Sequence, residues 1–145
     1  MIVVGLGNPG PEYTGTRHNV GFLVVDALAE TLGLDWRSNR DVLVAKDDDV
    51  ILIKPWTFMN NSGKALKDFL AYANIPSDSA ALHSMVVIHD DLDFPLGTVK
   101  FQRDRSSAGH NGIQSIIDAF ATKDFYRYRV GISPEGERLV PGDVF

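Results

Sequence analysis

IVVGLGNPGPEYTGTRHNVGFLVVDALAETLG, residues 2–33, decides the fold. Ile2 to Gly5 is a short apolar run bounded by glycine, the pattern of a buried strand. A Gly/Pro-rich loop follows from Leu6 to about Gly15. From Arg17 to Leu32 the spacing turns helical, with Val20, Leu23, Val24, Ala27 and Leu28 predicted on one face. Thr16 stands where a helix is capped and Gly33 where one ends. A strand, a loop and a helix in this order open an α/β chain.

Working outward, Val42–Lys46 and Val50–Lys54 read as two strands joined by the acidic turn Asp47–Asp49, a hairpin. A helix is expected from about Asn61 to Asn74, with Leu66, Phe69, Leu70 and Ala73 inward and Pro76 as its stop. Ser77 to Ser84 reads as loop. Met85–His89 is a β-rich run leading into Asp90, expected as a central strand. Another strand runs from about Thr98 to Gln102. A third helix begins near His110 and carries Ile113, Ile116, Ile117 and Phe120 inward, and Tyr128–Ile132 is the last strand. Alternating strands and helices plus one hairpin predict a single α/β domain with a mixed central sheet flanked by helices.

The 145 residues suit one hydrophobic core. A hydrophobic share of 44% and a charged share of 23% are those of an ordinary globular protein. No apolar run approaches the ~20 residues that span a bilayer, so no membrane partner is expected. Met1–Gly5 lacks a basic leader pattern, and cytoplasm is the expected compartment. No cysteine is present, which excludes disulfides and thiolate metal sites. The formal net charge is −5, unusual for a protein that grips a polyanion. The charge is segregated, however: acids gather in Asp47–Asp49 and at Asp90, Asp91 and Asp93, and bases at Lys100, Arg103, Arg105, Arg127 and Arg129. With no obvious exposed apolar stripe, a monomer is expected.

Gly5-Leu6-Gly7-Asn8-Pro9-Gly10 satisfies the G-x-G-x-x-G pattern of dinucleotide sites. That site needs its helix to begin inside the pattern, whereas Pro9, Pro11 and Gly15 delay the helix to about Thr16. Glycines for a tight turn beside the sheet are the better reading.

Chemistry concentrates where strands end and helices begin: Asn8, His18, Asn60, Asp90, His110 and Asn111. Ligand crevices in open α/β sheets form beyond the carboxyl ends of strands. His18, in the first helical turn, is a candidate general base, and Asp90 the carboxylate that would fix its tautomer. Such a pair activates water without a protein nucleophile, and no cysteine or G-x-S-x-G serine is available to be one. The asparagines offer donor and acceptor without charge, although each can equally be a helix cap or turn residue. His89, Asp90, Asp91, Asp93 and His110 invite a metal reading, against which strand alternation points neighbouring side chains apart.

GLGNPGPEYTGTRHNVGF, KPWTFMNNSG, VIHDDLDFPLG and AGHNGIQSI occur in this order, and together they resemble bacterial-type peptidyl-tRNA hydrolase from Met1 to about Ile132. The resemblance implies hydrolysis of the ester between peptide and tRNA, with His18 activating water and Asp90 orienting it. It also implies substrate contacts from Asn8, Tyr13, Asn60, His110 and Asn111, and tRNA phosphate contacts in the regions of Lys100, Arg103, Arg105, Arg127 and Arg129. No cofactor and no metal are implied. The chain departs from the family in Arg103–Gly109, where a glycine-rich run is usual, and in Gly131-Ile132-Ser133-Pro134, where a GIGRP-like segment is usual. Pro141–Phe145 falls about where the family begins a C-terminal lid and helices, so the expected domain, 1–145, lacks that segment; Asp143 looks like a cap with no helix after it. Two other functions stay open at this point: a non-catalytic RNA-binding protein on the same scaffold, and an esterase or amidase of small acylated substrates.

Overall fold

The computed structural model describes residues 1–13 and 16–133; Gly15, Pro134 and the Pro141–Phe145 segment lie outside them. Seven strands form one sheet: β1 (Ile2–Gly5), β2 (Arg37–Asn39), β3 (Val42–Lys46), β4 (Ile51–Pro55), β5 (Met85–Pro95), β6 (Val99–Arg103) and β7 (Tyr126–Ser133), in spatial order β2-β3-β4-β1-β5-β7-β6. The strands β4, β1, β5 and β7 are mutually parallel, with Ile2 in register with both Ile51 and Met85. Antiparallel pairing at both edges makes the sheet mixed, as expected.

Alternation along the central strands feeds two cores. Val4, Ile53 and Val87 face helices α2 (Ser62–Tyr72) and α4 (Asn111–Phe120), meeting Leu66, Leu70, Ile113 and Ile116. Val3, Leu52 and Ile88 face α1 (Val20–Leu32) on the other side, meeting Val25 and Ala29. Both faces are therefore covered, which is why these strands read as continuous apolar runs.

Several expectations are corrected. The buried face of α1 is Gly21, Phe22, Val25 and Ala29, while Leu23 and Ala27 are exposed. Val24 and Leu28 of the predicted stripe do pack at the edge of the core, but the stripe is shifted because the helix rests on the sheet through a glycine, which carries no hydropathy signal. Thr16 occupies the cap position, but its hydroxyl donates to the Tyr13 carbonyl instead of accepting from the helix. Gly33 does end α1, in the left-handed conformation. Ala73 is exposed, and α2 stops at Tyr72, before Pro76. The loop at 77–84 contains a short helix, α3 (Ser79–Leu82), capped by the Asp78 side chain. The ground for expecting a monomer also falls away, since Leu96, Val99, Phe101 and Tyr128 are exposed around β6 and β7.

One close approach positions the rest. A Cβ added to Gly21 would stand 2.4 Å from the Leu6 carbonyl oxygen and 2.5 Å from that of Ile88. The start of α1 thus lies directly on the carboxyl end of β1 and the middle of β5, a separation only glycine allows. Gly21→Ala is expected to cost about 1–3 kcal/mol of stability or more, since the clash is with backbone; an unchanged urea midpoint would contradict this packing.

His89, on β5, is buried, with Nδ1–H donating to the Asp90 carbonyl and Nε2 lacking any partner. Burial, reinforced by neighbouring His110, pushes its pKa well below the ordinary histidine value. A depressed histidine keeps the native state neutral while the unfolded chain takes up a proton below its pKa of about 6.5. Stability should therefore fall as the pH drops from about 6.5, by up to about 1.4 kcal/mol per pH unit. Urea midpoints at pH 7.5 and 5.5 should diverge more in the wild type than in His89→Gln; equal divergence would assign the effect to other groups.

Candidate active site

The middle of β5 brings Asp90 between the two helical layers; the strand expected to end before Asp90 runs on to Pro95, paired with β7. A short 3-10 turn, Arg17–Asn19, precedes α1 and sets His18 on one side; His110, the N-cap of α4, approaches from the other. His18 Nδ1 lies 2.6 Å from Asp90 Oδ2, and His110 Nε2 lies 2.7 Å from Asp90 Oδ1. The two imidazoles stack at 5.8 Å with an interplanar angle of 26°. All three side chains are about nine-tenths buried or more.

Burial alone would raise the Asp90 pKa, but His110, through charge and hydrogen bond, and then His18 outweigh it and hold it well below the usual carboxylate range. An ionised carboxylate only accepts, so each imidazole must present a proton to it. That places the proton of His18 on Nδ1 and leaves Nε2 as its basic nitrogen. His110 is fixed from its other edge: Nδ1 accepts the amide protons of Gly112 and Ile113 at 3.1 and 3.2 Å, so its own proton sits on Nε2. The expected His18–Asp90 pair is thus a three-member cluster in which His110 meets Asp90 and caps α4.

Asn8 is buried at the end of β1. Its Oδ1 accepts from the Met59 amide at 2.9 Å, and its backbone forms a reciprocal clasp with Asn19, N–H to Oδ1 at 2.8 Å and carbonyl from Nδ2 at 2.9 Å. Sequence reasoning passed over Asn19; its position beside His18, combined with a buried amide requirement at the Gly/Pro loop, was the available signal. Tyr13 is half-buried and meets Phe58 edge-on at 6.3 Å. Asn60, in the short turn Met59–Asn61, and Asn111, the first residue of α4, are both exposed.

The basic residues divide. Lys100, Arg103 and Arg105 are exposed, with Lys100 over the Phe94 ring at 4.7 Å and Arg103 held in two contacts, 2.6 and 3.1 Å, by Asp124. Arg129 is taken up by Asp91 and Gln102, each at 2.6 Å. Arg127 is only 2% exposed and donates through Nη2 to the Ser106 carbonyl, its Nε and Nη1 lacking partners. Burial, with Arg129 nearby, lowers its pKa to about 10.

Among the described residues, His18, Asp90 and His110 also form a group able to hold a metal, with ligand atoms within 4.8 Å of one another. The imidazole–carboxylate separations are those of hydrogen bonds; a metal shared by the same atoms would sit ~2.0–2.2 Å from each and force them apart. Asp91, another acidic candidate, is engaged elsewhere: it accepts from Arg129 and from the Asp93 amide.

The Gly/Pro loop makes no dinucleotide site. The helix begins only after Asn19, and a Cβ at Gly7 would meet the Phe22 ring at 2.6 Å. Among the described residues no helix is long and apolar enough to cross a membrane.

Comparison with known proteins agrees with this fold. The family model of peptidyl-tRNA hydrolase matches residues 2–142. The peptidyl-tRNA hydrolase of Thermodesulfovibrio yellowstonii is 46% identical over 139 residues, covering 91% of this chain and 71% of that one. The same is 46% over 145 residues for the enzyme of Caldanaerobacter subterraneus, covering 96% and 76%. A crystal structure of peptidyl-tRNA hydrolase from Acinetobacter baumannii superposes with a TM-score of 0.82 at 31% identity, over 99% of this chain and 71% of that one. The four motifs, the mixed seven-stranded sheet and these relatives together place the chain in the peptidyl-tRNA hydrolase family.

Proposed function

We propose that this chain hydrolyses the ester of peptidyl-tRNA by direct water attack, with His18 as general base. The observation that carries the reading is the 2.6 Å contact between His18 Nδ1 and an Asp90 carboxylate that His110 secures from its other oxygen. His18 Nε2 takes a proton from water as the oxygen attacks the ester carbonyl. The imidazolium so formed is stabilised by Asp90. Collapse of the tetrahedral intermediate breaks the bond to the ribose oxygen, which leaves with the proton. The products are a peptide acid, which loses its proton to solvent, and tRNA with its terminal hydroxyl restored.

Asn60 and Asn111, both exposed, supply neutral donors for the junction and the developing oxyanion. Asn8 contacts the peptide: its Oδ1 is committed to Met59, so Nδ2 is the end that donates to a peptide carbonyl. Tyr13, against Phe58, flanks the same side. Phosphates of the acceptor arm fall to Lys100 and Arg105, with Arg103 adjoining; Arg127 and Arg129 act from inside, holding the 104–109 loop and β5. The domain that does this is the whole of 1–145, acting in the cytoplasm without a cofactor. A purely RNA-binding role is not favoured, because it leaves the buried histidine–aspartate cluster without a use.

His18→Ala should lower release of N-acetyl-amino acid from N-acetyl-aminoacyl-tRNA by roughly 10²–10⁴-fold, the usual worth of a positioned base. Wild-type release should persist in EDTA. Undiminished release by the variant would sink the mechanism. Asp90→Asn should also lose at least about 10²-fold in kcat, because an amide can donate to Nδ1 and favour the wrong tautomer; a purely KM effect would mean that Asp90 only binds.

A further inference from the structure

Across the Asn8–Asn19 clasp from the histidine cluster lies a cavity of about 200 Å³, lined among others by Asn8, Phe22, Leu23, Asp26, Lys54 and Trp56. At ~30 Å³ of liquid volume per water, it has room for roughly six waters, or for one large side chain. Its walls are built, not incidental. Trp56 follows directly after β4, and its amide is pinned to the Asp41 carbonyl at 2.8 Å. Its indole stacks on Phe22 at 5.5 Å and 21°, while 44% of the residue stays exposed.

Lys54 gives the cavity its polarity. Its ammonium is buried, 2.5 Å from Asp26, and surrounded by the rings of Trp36, Trp56 and Phe22 at 4.3, 5.5 and 5.8 Å. A lysine enclosed in this way, with its counter-charge in contact, is poorly placed to hold an anion. Asp26 shares one oxygen with Lys54 and its side chain is 45% exposed, so its charge is offset by the ammonium and by solvent. The cavity is therefore aromatic and aliphatic at its sides and internally neutralised at its polar end. Such a site favours an uncharged side chain that stacks or packs, with a disfavoured place for either charge.

Asn8 belongs to both the cavity and the peptide side of the cluster, so a chain whose carbonyl accepts from Asn8 Nδ2 enters the cavity next. We propose that this slot receives a large uncharged side chain from the last two residues of the peptide moiety, and that Trp56 sets the preference. The inference rests on the hydrolase reading and adds to it a selectivity for the peptide, separate from any contact with tRNA.

The test compares kcat/KM for tRNAs carrying N-acetyl dipeptides: Gly-Gly, and the same with Phe, Glu or Lys at either position. A ratio within one enzyme preparation is insensitive to partial misfolding. The wild type should favour a Phe-containing substrate over Gly-Gly by roughly three- to tenfold, the scale of one aromatic pair. Trp56→Ala should bring that ratio to within about twofold, and Trp56→Phe should restore part of it. No Phe preference in the wild type, an unchanged ratio in Trp56→Ala, or a stronger preference for Glu or Lys would each overturn the slot. Absence of release from every substrate would overturn the hydrolase reading itself.

Discussion

The carboxylate of Asp90 is the point on which the two helical layers and the site converge. One oxygen receives His18 from the layer that carries α1, and the other receives His110 from the layer that carries α4. A buried charge of this kind is tolerable only when its lone pairs are met, and here both oxygens are met by imidazole protons. The parallel strand β1 ends beside β5 beneath it, with Gly5 in register with Ile88. Moving either layer outward by one ångström would strand an anion in the protein interior. The folding of the sheet and the assembly of the site are therefore one constraint.

That constraint explains where the glycines stand. Gly21 lets the first turn of α1 rest on the Leu6 and Ile88 carbonyls, and His18 lies three residues before it. A side chain at this position would lift the turn and lengthen the His18–Asp90 contact. The other layer is secured differently. Arg127 holds the Ser106 carbonyl, and the Ser107 carbonyl accepts the His110 amide. An arginine from β7 thus braces the loop whose end presents His110. The loop is charged instead of glycine-rich, and this bracing from beneath is how it keeps its place.

Much of the fold was legible because it rests on signals the sequence carries openly. The apolar runs Ile2–Gly5 and Met85–His89, the Asp47–Asp49 turn and the Ile113/Ile116 spacing are all local patterns, and each became the element expected. What was not legible depended on tertiary contact. The inward face of α1 was misread because Gly21 and Ala29 contribute little hydropathy while exposed Leu23 contributes much. The fates of the arginines were hidden for the same reason. No property of Arg127 or Arg129 in the chain distinguishes them from Arg105, yet one is buried and one is paired with Asp91, because β7 lies between β5 and β6. At the site, residue type and expected element ends pointed to His18 and Asp90, which the fold brings into contact although β5 runs on past Asp90 to Pro95. Asn19 was missed because its partner is the backbone of Asn8, a contact that only the folded loop creates.

The two histidines beside Asp90 are not equivalent, and the difference gives the proposed chemistry its direction. Both donate to the same carboxylate, so composition and proximity alone would let either act as base. His110, however, spends its second nitrogen on the Gly112 and Ile113 amides at the start of α4. A proton at that nitrogen would displace two helix donors and leave them unmet at the helix end. His18 spends Nδ1 on Asp90, so in the proposed mechanism the proton drawn from water is taken at Nε2. Helix capping, ordinarily a matter of stability, here decides which imidazole can turn over and which one holds the carboxylate still while it does.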